Sequence, residues 1–312
     1  MGYKSASLVK QVTDLLVSVC RFGESKHDHK ADGSYKQYIF SFNTFRNYLN
    51  NCCQFVKWCK AGNQAVKTIA DCAPYVNDYL QHLKDCCLSA STQKAVSSAL
   101  AKMYRCTTMD FIKTDSRNRA QIVRSRGSKK MDHHFSEAKN KTLVNFMLST
   151  GLRRCELTKV RGDQLVFRGG KYYIHITGNQ SKGGKERYVL VIGNVANVVQ
   201  LMTSAGHEKV FPHVSSACDV HSYRAEYAAA LYKYYARSYE ECKRDRFYNQ
   251  EKKCLCRNAL YICRGDMAGQ WFDKAAMLMV SRFLGHNRIS VIAEHYLHRI
   301  EDTRSYVDTS AS

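Results

Sequence analysis

The chain has 312 residues, enough for about two domains, and 45% of them are hydrophobic, which supports a real core and excludes a disordered chain. Lys and Arg number 48 against 27 Asp and Glu, a net charge of +21, and such a surplus on a folded protein favours a polyanionic partner, nucleic acid first. No run of about 18 apolar residues marks a membrane span, and with two prolines and few turn clusters a large all-β fold is not expected.

The first apolar stretch is interrupted by Asp14 and no small-residue cleavage site follows, so no secretory signal is read. Residues 1–112 read as a helical domain. Phe42, Phe45, Leu49, Cys52, Cys53 and Val56 recur at three- and four-residue steps, and a turn at Ala61-Gly62-Asn63 ends that helix. Pro74 opens the next one, with Tyr75, Val76, Tyr79, Leu80 and Leu83 on one stripe. Leu88 to Thr92 supply caps for a helix over 92–105. The fourteen cysteines read as buried free thiols of the cell interior, because Cys52-Cys53, Cys86-Cys87 and Cys254-x-Cys256 lack the spacing of zinc ribbons. A cytoplasmic, DNA-associated location is expected.

Residues 113–130 lose the apolar period and read as a basic interdomain linker. Arg117, Arg119, Arg124, Arg126, Lys129 and Lys130 are candidate contacts to a phosphate backbone. Residues 131–312 form the second domain. Ser136 is expected to cap a helix running to Thr150, with Leu143, Phe146, Met147 and Thr150 inward. Two β-rich runs, 172–176 and 187–192, are joined by a polar loop whose Gly183-Gly184 pair favours a tight hairpin. After Gly193 the chain reads as helical to its end. The fold class is therefore mainly α with one small antiparallel sheet.

Four separated segments carry chemistry. They are Thr150-Gly151-Leu152-Arg153-Arg154-Cys155-Glu156-Leu157, Ser181-Lys182-Gly183-Gly184-Lys185-Glu186-Arg187, His221-Ser222-Tyr223-Arg224, and Leu284-Gly285-His286 with Tyr296 ten residues on. Among them there is no acidic pair for magnesium and no P-loop, so no metal site and no cofactor is expected. Opening a phosphodiester builds charge on the phosphoryl oxygens, which arginines pair in bidentate fashion. Two arginines can replace a metal as the clamp, tyrosine is a competent nucleophile, and histidine moves its proton near neutral pH. Singly, each segment is commonplace: an R-x-x-E on a helix is usually a surface pair. Their order and combination are not.

The second domain resembles the catalytic domain of the tyrosine recombinase family, the phage- and transposon-type integrases, over about residues 135–300. T-G-L-R-R-C-E-L is similar to that family's first-arginine motif and assigns the role to Arg153. S-K-G-G-K-E-R resembles its β-hairpin motif, giving Lys182, with Lys185 second. H-S-Y-R gives His221 and Arg224, F-L-G-H gives His286, and E-H-Y-L-H gives the nucleophile Tyr296. Residues 1–112 resemble the family's core-DNA-binding domain. The resemblance implies a site-specific recombinase of a mobile element, acting on double-stranded DNA as a homotetramer, independent of ATP and metal. It assigns Tyr296 to attack, Arg153 and Arg224 to the oxygens with His286 assisting, His221 to the base role and Lys182 to the acid role. A type IB topoisomerase-like enzyme and a non-catalytic DNA-binding protein are the alternatives. The interval 225–285 is longer than in most relatives and shows no core pattern before Asn258, so an insertion is expected there. His295, beside Tyr296, reads as a solvated or packed side chain. Residues 300–312 are expected to dock on a neighbouring subunit through Tyr306 and Val307.

Overall fold

The computed structural model describes residues 6–116, 135–181, 184–264, 267–286 and 288–297. The basic residues from Arg117 to Lys130, Lys182, and the tail with Tyr306 and Val307 lie outside them. Two compact units divide the chain, Met1–Ile122 and Val123–Ser312.

In the first unit four helices start on a hydroxyl. Ser7 caps α1 (Leu8–Ser18), Ser41 caps α2 (Phe42–Gly62), and Thr68 with Asp71 forms a capping box on the short α3 (Ile69–Cys72). Such caps satisfy N–H groups that lack a partner in the first turn. Pro74 sits in a 3₁₀ turn, Ala73–Tyr75, that leads into α4 (Val76–Asp85), where its missing N–H costs nothing. Ser89 caps α5 (Ala90–Met103). Phe55, Val56, Leu80, Val96 and Leu100 are buried together with Val12 and Leu16, so the apolar stripes meet in one core. Between α2 and α5 runs a groove of about 380 Å³ lined by Asn47, Tyr48, Asn51, Lys94, Ala95 and Ser98 among others. The cysteines depart from expectation. All fourteen are free, but only six are buried, and Cys86, Cys87, Cys155 and Cys254 are exposed. Cys86 and Cys87 lie just past the end of α4, where the apolar stripe has stopped.

The second unit starts with α6 (Lys141–Thr150), one turn later than the Ser136 signal suggests. Ser136 caps only a turn, accepting from the Lys139 N–H at 3.4 Å, and the backbone of Asn140 (φ −116°, ψ 27°) separates that turn from the helix. After α7 (Arg154–Leu157) come β1 (Leu165–Arg168), β2 (Lys171–Ile176) and β3 (Arg187–Leu190), an antiparallel sheet in the order β1-β2-β3. Ile176 pairs with Arg187, so residues 177–186 form a long connection and not a tight hairpin at the glycine pair. Within Thr177 to Ser181 the Gln180 N–H donates to the Thr177 carbonyl at 3.1 Å, while the Gln180 side chain bonds Gln164 and the Lys159 carbonyl.

Two helices follow, α8 (Val195–Ala205) and α9 (Val220–Tyr235), then α10 (Tyr239–Arg244). The chain does not stay helical from there. β4 (Phe247–Asn249) pairs with β5 (Cys254–Cys256), and β6 (Leu260–Ile262) with β7 (Trp271–Asp273), so the described residues of the unit hold three small sheets. The interval after α9 also has a core of its own before Asn258, built on Cys242 and Phe247. The unit closes with α11 (Lys274–Leu284) and α12 (Ser290–His295). Its main core joins Phe146, Met147 and Leu152 to Ile174 and Val189 of the sheet and to Tyr227, Met277 and Leu284. No described helix is long and apolar enough to cross a membrane.

Candidate active site

Arg153 is placed by a glycine. Gly151 ends α6 at φ +55°, and a Cβ there would fall 2.2 Å from the Tyr227 ring. Only glycine combines that backbone with that approach. Leu152 then plugs the core and Arg153 emerges before α7.

Arg224 lies on α9, almost fully buried. Its Nη1 donates to the Gly151 carbonyl and its Nη2 to the Leu284 carbonyl at 2.6 Å. Arg153 donates to the same Leu284 carbonyl through Nη2 at 3.0 Å. That oxygen closes α11, where unpaired carbonyls and the helix dipole favour cations. Burial pulls the Arg224 pKa down, as do other cations nearby, but arginine stays charged from so high a starting value.

Past Leu284 the chain turns on Gly285 (φ +68°) and delivers His286, whose N–H donates to the Ser281 carbonyl at 2.8 Å. His286 Nε2 lies 3.0 Å from the Tyr296 hydroxyl, and Arg224 Nε donates to that hydroxyl at 3.3 Å. Burial first, then the charges of Arg224 and Arg153, push the His286 pKa down to about 4. The imidazole is therefore neutral at pH 7. Tyr296 sits at the end of α12, its N–H bonded to the Ile292 carbonyl at 3.0 Å.

Of the six residues expected from the sequence, Arg153, Arg224, His286 and Tyr296 converge on one spot. His221 is exposed in the first turn of α9, and the imidazole that meets the Tyr296 hydroxyl is that of His286. Lys182 lies outside the described residues, and Lys185 is described and exposed. His295 is exposed as well.

Two residues of the site were not singled out in the sequence. Glu156, 0% exposed, accepts from Arg153 Nη1 at 2.9 Å and from the Arg153 backbone N–H at 2.7 Å. Its other partner is Arg187 Nη2 at 2.7 Å, and Arg187 Nε donates to the Phe283 carbonyl at 2.9 Å. Burial alone would raise the Glu156 pKa, but the hydrogen bonds and charges of Arg187 and Arg153 prevail and hold it at about 2. The R-x-x-E pair is thus an interior brace and not a surface one. A signal for Arg187 existed: it shares the alternating face of Val189 and Val191, both buried. Three guanidiniums and one carboxylate leave this cluster strongly cationic, a poor host for a divalent metal. Among the described residues, no group of acidic, histidine or cysteine side chains is arranged to hold one.

The second unit is mainly helical and holds a tyrosine between an arginine and a histidine. Residues 91–244 match the model of the phage integrase family. That match supports the tyrosine recombinase family for this chain. The matched stretch includes Arg153, His221 and Arg224 and ends before His286 and Tyr296. Among solved structures, the chain is similar to the XerH site-specific recombinase bound to its difH substrate, pre-cleavage, at 12% identity, TM-score 0.44, covering 95% of this chain and 93% of that one. It is also similar to XerH bound to a palindromic difH substrate, post-cleavage, at 14% identity, TM-score 0.38, over 96% and 97% of the two chains. The XerA recombinase aligns at 14% identity, TM-score 0.29, over 92% and 93%. No curated protein matches the sequence.

Proposed function

We propose that this tyrosine recombinase cuts and rejoins double-stranded DNA at a specific site through a 3′-phosphotyrosyl intermediate, and that it serves a mobile element. The observation that carries the reading is the Tyr296 hydroxyl, 3.0 Å from a neutral imidazole and 3.3 Å from the guanidinium of a buried arginine.

That geometry supports the following reaction. The scissile phosphate binds against Arg153 and Arg224, which neutralise charge developing on its non-bridging oxygens. The Tyr296 oxygen attacks phosphorus while its proton passes to His286. The bond from phosphorus to the 5′ oxygen breaks, and that oxygen takes a proton, for which Lys182 is the candidate donor. A 5′ hydroxyl from another strand reverses the step. The phosphodiester energy stays in the phosphotyrosyl bond, so the cycle needs no ATP. His221, to which the motif assigns the base role, fits better as a phosphate contact, because His286 already occupies the position beside the nucleophile.

The working form on DNA is proposed to be the homotetramer that the family resemblance implies. The basic residues Arg117, Arg119, Arg124, Arg126, Lys129 and Lys130 are proposed to follow the backbone between the two units. A nicked duplex carrying the sequence that flanks the gene tests the reading. A covalent protein–DNA product supports it. Shifted bands with no covalent product, under conditions where the duplex is saturated, would make the protein a binder only.

A further inference from the structure

The interval between α9 and α11 is held by a small core in which Cys242, Phe247, Ala259 and Leu260 are buried, with Ala275 and Leu278 of α11 packed against them. This core grips the β4–β5 ribbon by one face. Phe247 pairs with Cys256 and Tyr248 with Leu255. Alternation turns the first pair inward and the second outward, and Tyr248 and Leu255 are 54% and 56% exposed. Continuing the register brings Arg246 opposite Arg257 on the same outward side, both exposed. At the other end the tip carries Lys252 and Lys253, also exposed. Over residues 246–257 these four cations face a single acid, Glu251.

Two features of this ribbon are unfavourable in the chain alone. A tyrosine–leucine pair faces water, and two arginines oppose each other across the strands, where like charges repel. The tip is nevertheless well shaped. Asn249 Oδ1 accepts from the N–H groups of Glu251 at 3.0 Å and Lys252 at 3.1 Å. Lys253 holds φ +50°, a left-handed backbone uncommon outside glycine. Among the described residues no third strand joins either edge. A formed face with cations at both ends and an apolar centre complements two rows of phosphates flanking base edges. The major groove of duplex DNA, about 12 Å wide, admits a two-stranded ribbon.

We propose that the outward face of β4–β5 is a DNA-docking element separate from the cleavage site. Arg246, Lys252, Lys253 and Arg257 meet phosphates, and Tyr248 and Leu255 face the groove. Because its core leans on α11, the helix that ends at Leu284 and leads into His286, the ribbon ties grip on the duplex to the catalytic end of the unit. The identity of the polyanion rests on the recombinase reading above.

The test measures binding of the full chain to a linear duplex of random sequence over a range of salt. Lys252→Ala, Lys253→Ala and Arg257→Ala are combined in one variant. The slope of log affinity against log salt should become shallower by about 0.9 for each phosphate that no longer meets a cation. A second variant, Tyr248→Ser with Leu255→Ser, should bind more weakly with the slope unchanged. Circular dichroism checks that both melt as the parent does. A photo-crosslinking amino acid at position 248 in the otherwise native chain should label DNA. Labelling of a second copy of the chain, or no DNA label with both slopes and affinities unchanged, overturns the proposal. A parent chain that does not bind the duplex at all overturns the recombinase reading and the proposal with it, whereas binding that ignores every ribbon change overturns the ribbon alone.

Discussion

Arg224 uses all three of its donor nitrogens in different directions, to Gly151, Leu284 and Tyr296. A lysine cannot reproduce that fork, so Arg224→Lys should fold and yet fail to hold the tyrosine. Arg153→Ala and Arg224→Ala should each cost about 3–4 kcal/mol of transition-state stabilisation, measured as the single-turnover cleavage rate at saturating DNA. The two perturbed groups of the site give a pH signature. His286 has a pKa of about 4 in the folded chain and about 6.5 when unfolded, so the unfolded chain binds more protons between those values. The stability that comes from the neutral imidazole is present above about pH 6.5 and is lost as pH falls through 4. Glu156 behaves likewise lower down: its contribution is present above about 4.3 and lost through about 2. Urea unfolding across pH should therefore show decline in two stages, with His286→Gln removing the upper stage. A parent curve flat from neutrality down to pH 4 would contradict the neutral histidine. Arg153 and His286 were legible in the sequence because glycine-bounded motifs carry them. Glu156 was not, because an i,i+3 pair looks the same in a core as on a surface; only its bond to Arg187, 31 positions on, makes the difference.

At the scale of elements the site depends on two glycine turns. Gly151 releases Arg153 from α6 and Gly285 releases His286 from α11. Gly285→Ala would put a Cβ 3.0 Å from the Arg187 side chain on a backbone at φ +68°. The left-handed backbone alone costs about 1–2 kcal/mol. We expect a lower melting temperature together with a slower cleavage step, because the displaced side chains are Arg187 and His286. An unchanged cleavage rate would show that the turn is merely structural. The long helices were readable from their stripes, with hydroxyl caps on α2 and α5 and Pro74 before α4: all three lie within a few residues of the periodic segments. The strands β4 to β7 were not. Each is three residues long, too short to show alternation, and each gains its place from a partner strand and from the small core around Phe247. The start of α6 was misplaced because Ser136 is a good cap by type while the backbone at Asn140 interrupts what it would cap.

For the whole molecule the charge of +21 is the one global property that the site does not consume. Neutralising Arg124 and Arg126 should weaken binding to every duplex and flatten the salt slope by about one unit for each phosphate that no longer meets a cation, while leaving cleavage at saturating protein intact. Equal cleavage losses from these substitutions and from Arg153→Ala would erase the distinction between strap and clamp. Cleavage should also persist in excess chelator. The only buried carboxylate of the cluster, Glu156, is already shared by two arginines, and a divalent ion would meet three guanidiniums. The central claim is that Tyr296 is the nucleophile, and covalent trapping tests it most directly. On a nicked suicide duplex the parent chain should form a protein–DNA adduct that survives denaturation, and Tyr296→Phe should bind the duplex equally and form none. An adduct of undiminished yield from Tyr296→Phe would contradict the account.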